Sequence, residues 1–185
     1  MYLPGKRCIH SGIKFRPKGE PKIVTTLSNI TVITQNRFRS LVAQRQFLEG
    51  EVVCPIPREA MHSKPTRMTI QIGRNRHVEV GQFSSANHSC NPTLILDTDR
   101  MLAFARRDIA PGEELTFFYP STEWQMQVPF ICLCGAANCI HVVAGARFLP
   151  LSTLEDHYLN RHIREQMIEL LQNTHNHLSR IEITA

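Results

Sequence analysis

The sequence predicts a mostly β body closed by a C-terminal α-helix. Short β-branched and aromatic runs recur between residues 23 and 119, broken by Pro, Gly, Asn and Asp turn signals. After residue 150 the alternation gives way to helical spacing. A chain of 185 residues, 42% of them hydrophobic, suits one domain with a real core.

In order, residues 1–22 form a basic lead. Lys6, Arg7, Lys14, Arg16, Lys18 and Lys22 stand among Pro4, Pro17 and Pro21, a composition that favours a poorly ordered segment. Strands are expected at 23–26, 30–33, 38–43 and 52–56, the last stopped by Pro55 and Pro57. Residues 68–73 alternate and return through 77–80 by a turn at 74–76. Residues 93–97 and 101–106 read as a hairpin around 98–100. Pro111-Gly112 makes a turn, and 114–119 reads as one more strand ending in Tyr119. Ser152-Thr153-Leu154-Glu155 has the form of a capping box, in which serine and glutamate each satisfy a free backbone N–H. Leu159, Ile163, Met167, Leu170 and Leu171 then repeat on one helical face and are expected to pack on the body.

The net charge of +5 is mild. No basic stripe with interleaved aromatics occurs, so direct nucleic-acid binding is not expected. The first residues carry no apolar run of the signal-peptide kind, and no run approaches membrane-spanning length. The expectation is an intracellular protein, cytoplasmic or nuclear, in which clustered thiols favour zinc over disulfides.

Cys132, Cys134 and Cys139 place three thiols on a short loop that Gly135 allows to turn tightly. A structural zinc wants four ligands in a tetrahedron. His141 is the local choice for the fourth, and Cys90 the distant one. Cys90 sits in Asn87-His88-Ser89-Cys90-Asn91-Pro92, where Pro92 stiffens the loop. Cys8 and Cys54 stand apart and read as incidental. An isolated Asn-His pair reads as a satisfied turn, and an isolated strand-end tyrosine as packing with a wet hydroxyl. Glu113 and Glu114 read as solvated turn residues. No phosphate loop and no nucleophile elbow is present.

Taken together, Asn87 to Pro92, Arg107 to Thr116, Tyr119 and Cys132 to Cys139 resemble the motifs of the SET-domain family of S-adenosylmethionine-dependent lysine methyltransferases. The resemblance runs from about Arg39 to Cys139 and is similar in detail to small stand-alone members with a post-SET zinc motif. It implies a SET β-clip fold with a pseudoknot over residues 23–131, a post-SET zinc segment over 132–149, and a helix and tail over 150–185. It implies one structural zinc on Cys90, Cys132, Cys134 and Cys139. Asn87 and His88 would hold S-adenosylmethionine, with Val42 and Ala43 nearby and Trp124 and Leu133 covering the adenine. Tyr119 would be the catalytic residue at the methyl-transfer channel.

Some positions depart from the family pattern. Its Gly-x-Gly is replaced within Phe38-Arg39-Ser40-Leu41-Val42-Ala43, so side chains at Arg39 and Leu41 are expected to crowd the cofactor. Thr93 and Phe118 stand where Asn and Asp are usual, and Ser84-Ser85-Ala86 is smaller than the usual loop. The resemblance implies methyl transfer to a protein lysine, histone or non-histone. The missing glycines and the absence of chromatin-targeting segments point instead to a small-molecule biosynthetic enzyme on the same scaffold, with or without turnover of S-adenosylmethionine. A non-catalytic binding module is the third reading.

Overall fold

The structure is a computed structural model and describes residues 29–183, with side chains of the last helix described as far as residue 174. The basic lead, Cys8 and the expected strand at 23–26 lie outside the described residues.

Strands β1 (Ile30–Gln35) and β2 (Phe38–Ala43) pair antiparallel without a break. Their turn is Asn36-Arg37, at φ 50° and 69°. Two successive positive φ values match the right-handed twist of a two-residue hairpin, and asparagine tolerates them better than most residues. β3 (Val52–Pro55), β8 (Leu94–Asp97) and β9 (Leu102–Ala105) form a sheet in the order β3-β9-β8. β4 (Met61–His62), β5 (Thr69–Gly73) and β6 (Arg76–Glu79) form another in the order β4-β6-β5. β7 (Asn87–His88) and β10 (Thr116–Phe117) pair in parallel, with Thr116 opposite Asn87 and Phe117 opposite His88. β11 (Phe130–Ile131) and β12 (Val142–Val143) bracket the thiol loop. Two helices follow, α1 (Leu151–Glu155) and α2 (Arg161–Ile183).

The hairpins expected at 68–80 and 93–106 are present, because their alternating side chains have an inner face to bury. The strand expected over 114–119 is only Thr116–Phe117. Pro120 cannot continue a ladder, and Tyr119-Pro120-Ser121 winds into a 3-10 turn instead. The capping box at Ser152 does not form. Pro150 precedes α1, its carbonyl accepting from Thr153 and Leu154 N–H, and the chain breaks before α2. Met167 and Ile163 are buried, whereas Leu170 and Leu171 are 36% and 47% exposed, so the packed stripe ends after the first turns of α2. Among the described residues no helix is long and apolar enough to cross a membrane.

The buried side chains form two clusters. The larger holds Leu41, Phe47, Phe83, Leu94, Leu96 and Ile109 among its bulky members. The smaller holds Cys90, Phe118, Cys132, Val143, Leu154 and Ile163. Tyr119 packs against both, so the 3-10 turn that follows β10 lies at their seam.

Asn160 ties α2 to that turn. It is 1% exposed. Its Oδ1 accepts from Thr98 N (2.9 Å) and Thr98 Oγ1 (3.0 Å), and its Nδ2 donates to Leu96 O (3.0 Å) and Ser121 O (2.9 Å). Its own carbonyl accepts from Ile163 and Arg164 N–H at the start of α2. Removing such a side chain strands several buried partners. Asn160→Ala is therefore expected to cost about 3 kcal/mol or more in urea unfolding, and an unchanged midpoint would contradict this role.

Candidate functional site

The central loop brings together what the sequence keeps far apart. The Sγ atoms of Cys90, Cys132, Cys134 and Cys139 all lie within 4.8 Å of one another. Zinc–thiolate bonds of about 2.3 Å in a tetrahedron set sulfurs about 3.8 Å apart. Cys90 and Cys132 stand at 3.9 Å. Ile140 N–H points at Cys90 Sγ and His141 N–H at Cys139 Sγ, each at 3.4 Å, and such donors favour thiolates over thiols. Asn138 Nδ2 donates to Cys90 O and holds the two loops together (3.2 Å). The four sulfurs fit a tetrahedral metal. His141 is exposed and only its backbone faces the cluster, so Cys90 is the fourth thiol. Cys54, by contrast, is alone in the larger core, where burial pushes its thiol up to about 12.

His88 links the cluster to the tyrosine. Its Nδ1 accepts from Tyr119 N–H (3.2 Å), which leaves the proton on Nε2, 3.3 Å from Cys90 Sγ. Both ring nitrogens are thus committed within the protein. Burial is the larger of two causes that lower its pKa to about 4, so the ring is neutral at ordinary pH. Asn87 Nδ2 donates to Glu114 Oε1 (2.7 Å), Arg39 O (3.0 Å) and Ser40 Oγ (3.2 Å). Glu114 is therefore engaged with the site loop and is not merely a solvated turn residue.

Tyr119 stands edge-on to His88 (5.3 Å between centroids) and packs against Phe117 (4.6 Å). Its hydroxyl donates to Ala86 O (3.0 Å). Burial first, then the charges of Glu123 and Glu114, raise its pKa to about 12, so it acts as a neutral hydroxyl. The small residues Ser84-Ser85-Ala86 lie at the end of a 3-10 turn, Gly81–Ser85, that delivers that carbonyl.

These groups open on a cleft of about 910 Å³. Asn87, His88, Tyr119, Glu114 and Leu133 line it, with Phe83, Phe117 and Phe130 supplying apolar wall. Leu133 is 90% exposed, an apolar side chain standing free at the rim. Three of the expected contacts lie elsewhere. Val42 and Ala43 are buried in β2 and do not line the cleft. Trp124 lines a second, smaller cleft with Gln71, His77 and Gln166, which adjoins the first along Pro65, Met126 and Gln127. Gly145, at φ 112°, closes behind it, where a Cβ would stand 2.5 Å from Trp124 O.

Of residues 38–43 only Phe38 lines the cleft. Leu41 is fully buried in the larger core, and neither it nor Arg39 is a lining residue. Thr93 replaces the usual asparagine without loss of order: its hydroxyl accepts from Thr116 N–H (2.8 Å) and donates to Glu114 O (3.2 Å). Phe118 stacks on the buried His157 at 3.6 Å and 5°.

Sequence reasoning missed Glu123. It is 6% exposed and lines the cleft. Its Oε1 accepts from Gln71 N–H (2.8 Å) and from Thr122 Oγ1 (3.2 Å), while Gln71 Oε1 accepts from Trp124 N–H (2.8 Å). That reciprocal clamp fixes the carboxylate to β5. A lone acid in Ser-Thr-Glu-Trp carries no local signal of burial; only its position four residues after Tyr119, on the same turn, points to it.

The SET domain profile matches residues 39–120. A methyltransferase of Aspergillus flavus, flvH, is 33% identical over 154 residues, covering 82% of this chain and 84% of that protein. Histone-lysine N-methyltransferases specific for H3 lysine 36 also match. That of Chaetomium globosum is 39% identical and that of Candida albicans 42%, over 41% and 36% of this chain. The chain spans only 10% and 8% of those two proteins. Among solved structures, KRYPTONITE in complex with mCHG DNA and SAH superposes with a TM-score of 0.51 at 22% identity, over 62% of this chain and 28% of that one, a likeness of fold. With the motifs assembled around one cleft and a relative of matching extent, the chain belongs to the SET-domain family of methyltransferases.

Proposed function

We propose that the chain transfers a methyl group from S-adenosylmethionine to a lysine-type amine carried on a protein. The observation that supports this reading is the convergence of Asn87, His88 and Tyr119 on one cleft, held by the four-thiol cluster. Cys90, Cys132, Cys134 and Cys139 would hold one zinc, which would fix the loop after β11 against β7 in a structural role, since the protein offers four ligands. S-adenosylmethionine, when bound, supplies an electrophilic methyl group. Asn87 and His88, which line the cleft, would hold it, and Leu133 would close over it from the rim. The Tyr119 hydroxyl and the Ala86 carbonyl orient the reacting centre, so that alignment supplies most of the rate.

The second reading is a free amine of low molecular weight as acceptor. It is favoured by the near end-to-end match to the A. flavus methyltransferase, set against matches that cover only 10% of a histone enzyme such as that of C. globosum. Purified zinc-loaded protein is to be supplied with methyl-labelled S-adenosylmethionine and two sets of acceptors, core histones with a cell extract, and free lysine with simple mono- and diamines. Label in protein supports the first reading. Label only in the small amines replaces it with the second, and label in neither overturns both.

A further inference from the structure

We infer that Glu123 is the proton acceptor for the incoming amine, and that the cleft therefore selects acceptors which arrive as ammonium ions. The inference rests on the methyltransferase reading above. It deepens that reading by assigning a step which tyrosine and carbonyls cannot perform.

A primary amine of the lysine class carries its proton at neutral pH, with an unperturbed pKa of about 10.4. It has no lone pair for attack until that proton leaves. The groups already described do not take it. Tyr119 is a neutral hydroxyl that donates to Ala86 O, and both His88 ring nitrogens are committed. Glu123 has the required geometry. It shares one turn with Tyr119, its N–H donating to Tyr119 O (2.9 Å). It lines the same cleft and is 6% exposed. Oε1 is held by Gln71 and Thr122, whereas Oε2 accepts no hydrogen bond from the described residues. Among those residues no cation pairs with it in an ion bridge. An uncompensated carboxylate on an apolar cleft wall is costly unless a cationic ligand completes it.

Its surroundings keep it near the working range. Burial raises its pKa to about 7 against the lowering effect of the Gln71 N–H and the Thr122 hydroxyl. The titratable groups around it are Tyr119 on its own turn, Glu114 and Arg67 along the cleft, His77 on β6 beside Gln71, and His162 on α2. His162 Nε2 donates to Thr122 O (2.8 Å), and burial lowers the pKa of both histidines, so neither supplies a cation at neutral pH.

The step balances without a further reagent. The ammonium gives one proton to Glu123 Oε2 and becomes a neutral amine. The nitrogen lone pair attacks the sulfonium methyl; the N–C bond forms as the C–S bond breaks, and that bond's electron pair stays on sulfur. The product leaves as a methylated ammonium, and Glu123 returns its proton to solvent.

The test is the pH profile of kcat for wild type and Glu123→Gln, with S-adenosylmethionine affinity and thermal melting measured on the same samples. For wild type, kcat is expected to rise to a plateau above about pH 7. For Glu123→Gln the plateau should move toward the amine's own pKa. At pH 7.5 kcat should then fall about 10²–10³-fold, recovering as pH passes 9. Cofactor affinity should change little. The melting temperature at pH 8 should hold or rise: a carboxyl whose folded pKa lies above its unfolded value favours folding only when protonated, an advantage lost as pH climbs from 4.5 to about 7. A Glu123→Gln profile parallel to wild type at every pH, whether lowered or unchanged, overturns the inference and leaves the methyltransferase reading standing. A wild type that binds S-adenosylmethionine yet methylates no amine at any pH overturns both.

Discussion

Cys90→Ser is expected to yield protein without stoichiometric zinc, less stable by at least ~4 kcal/mol and without methyl transfer. The size of the effect follows from where Cys90 lies. It is fully buried, belongs to the smaller hydrophobic cluster, and joins β7 to a loop more than forty residues later through its sulfur, its carbonyl and the Ile140 N–H. Losing one thiolate opens a closed four-ligand site, and a structural metal contributes its binding free energy directly to folding. The same loop presents His88 to Tyr119, so damage to the metal site reaches the cleft. Excess chelator should lower the melting temperature of wild type toward that of the variant and leave the variant unmoved. His141→Ala should keep its zinc, because its side chain lies outside the cluster. Zinc analysis with thermal melting checks all three, and a Cys90→Ser protein with full zinc and wild-type melting would contradict the assignment.

Tyr119→Phe is expected to lower kcat by about 10²–10³-fold with little change in S-adenosylmethionine affinity. The ring packing against Phe117 and His88 does not need the hydroxyl. The variant should therefore fold, losing about 1 kcal/mol from the unpaired Ala86 carbonyl. What disappears is a hydroxyl that Ala86 O holds in a fixed direction on the cleft wall; in the proposed reaction such a fixed dipole is worth more in the transition state than in the ground state. Single-turnover rates against cofactor Kd separate the two. A variant that turns over as fast as wild type would contradict the role given to the hydroxyl.

Much of the β body was legible because its strands alternate and end in turn residues. Residues 38–43, 68–80 and 93–106 have inner faces that must be buried, and they pair as expected. The two failures near the site share a cause. The strand expected over 114–119 shrinks to Thr116–Phe117, because Leu115, Phe117 and Phe118 are buried where two clusters meet rather than in a continuing sheet. The Ser152 box is a local signal, and it lost to Pro150 and to the four tertiary hydrogen bonds of Asn160, which set where α2 begins. At the site, the thiol spacing and the Asn-His-x-Cys loop foretold the cluster, because metal geometry constrains residue type. Trp124 and Glu123 show the limit. One was expected in the cleft and lines the smaller cleft beside it; the other was passed over and lines the cleft itself. Adjacent residues here line different clefts, and nothing in their own chemistry says which.

The loop from Asn87 to Cys90 is expected to serve the metal and the cofactor together. Calorimetric titration of S-adenosylmethionine into zinc-loaded protein tests it most directly. One site of micromolar or tighter affinity is expected, lost when zinc is removed and weakened at least about tenfold by Asn87→Ala, a change of roughly 1.4 kcal/mol. Zinc-loaded, folded protein that shows no binding would contradict it.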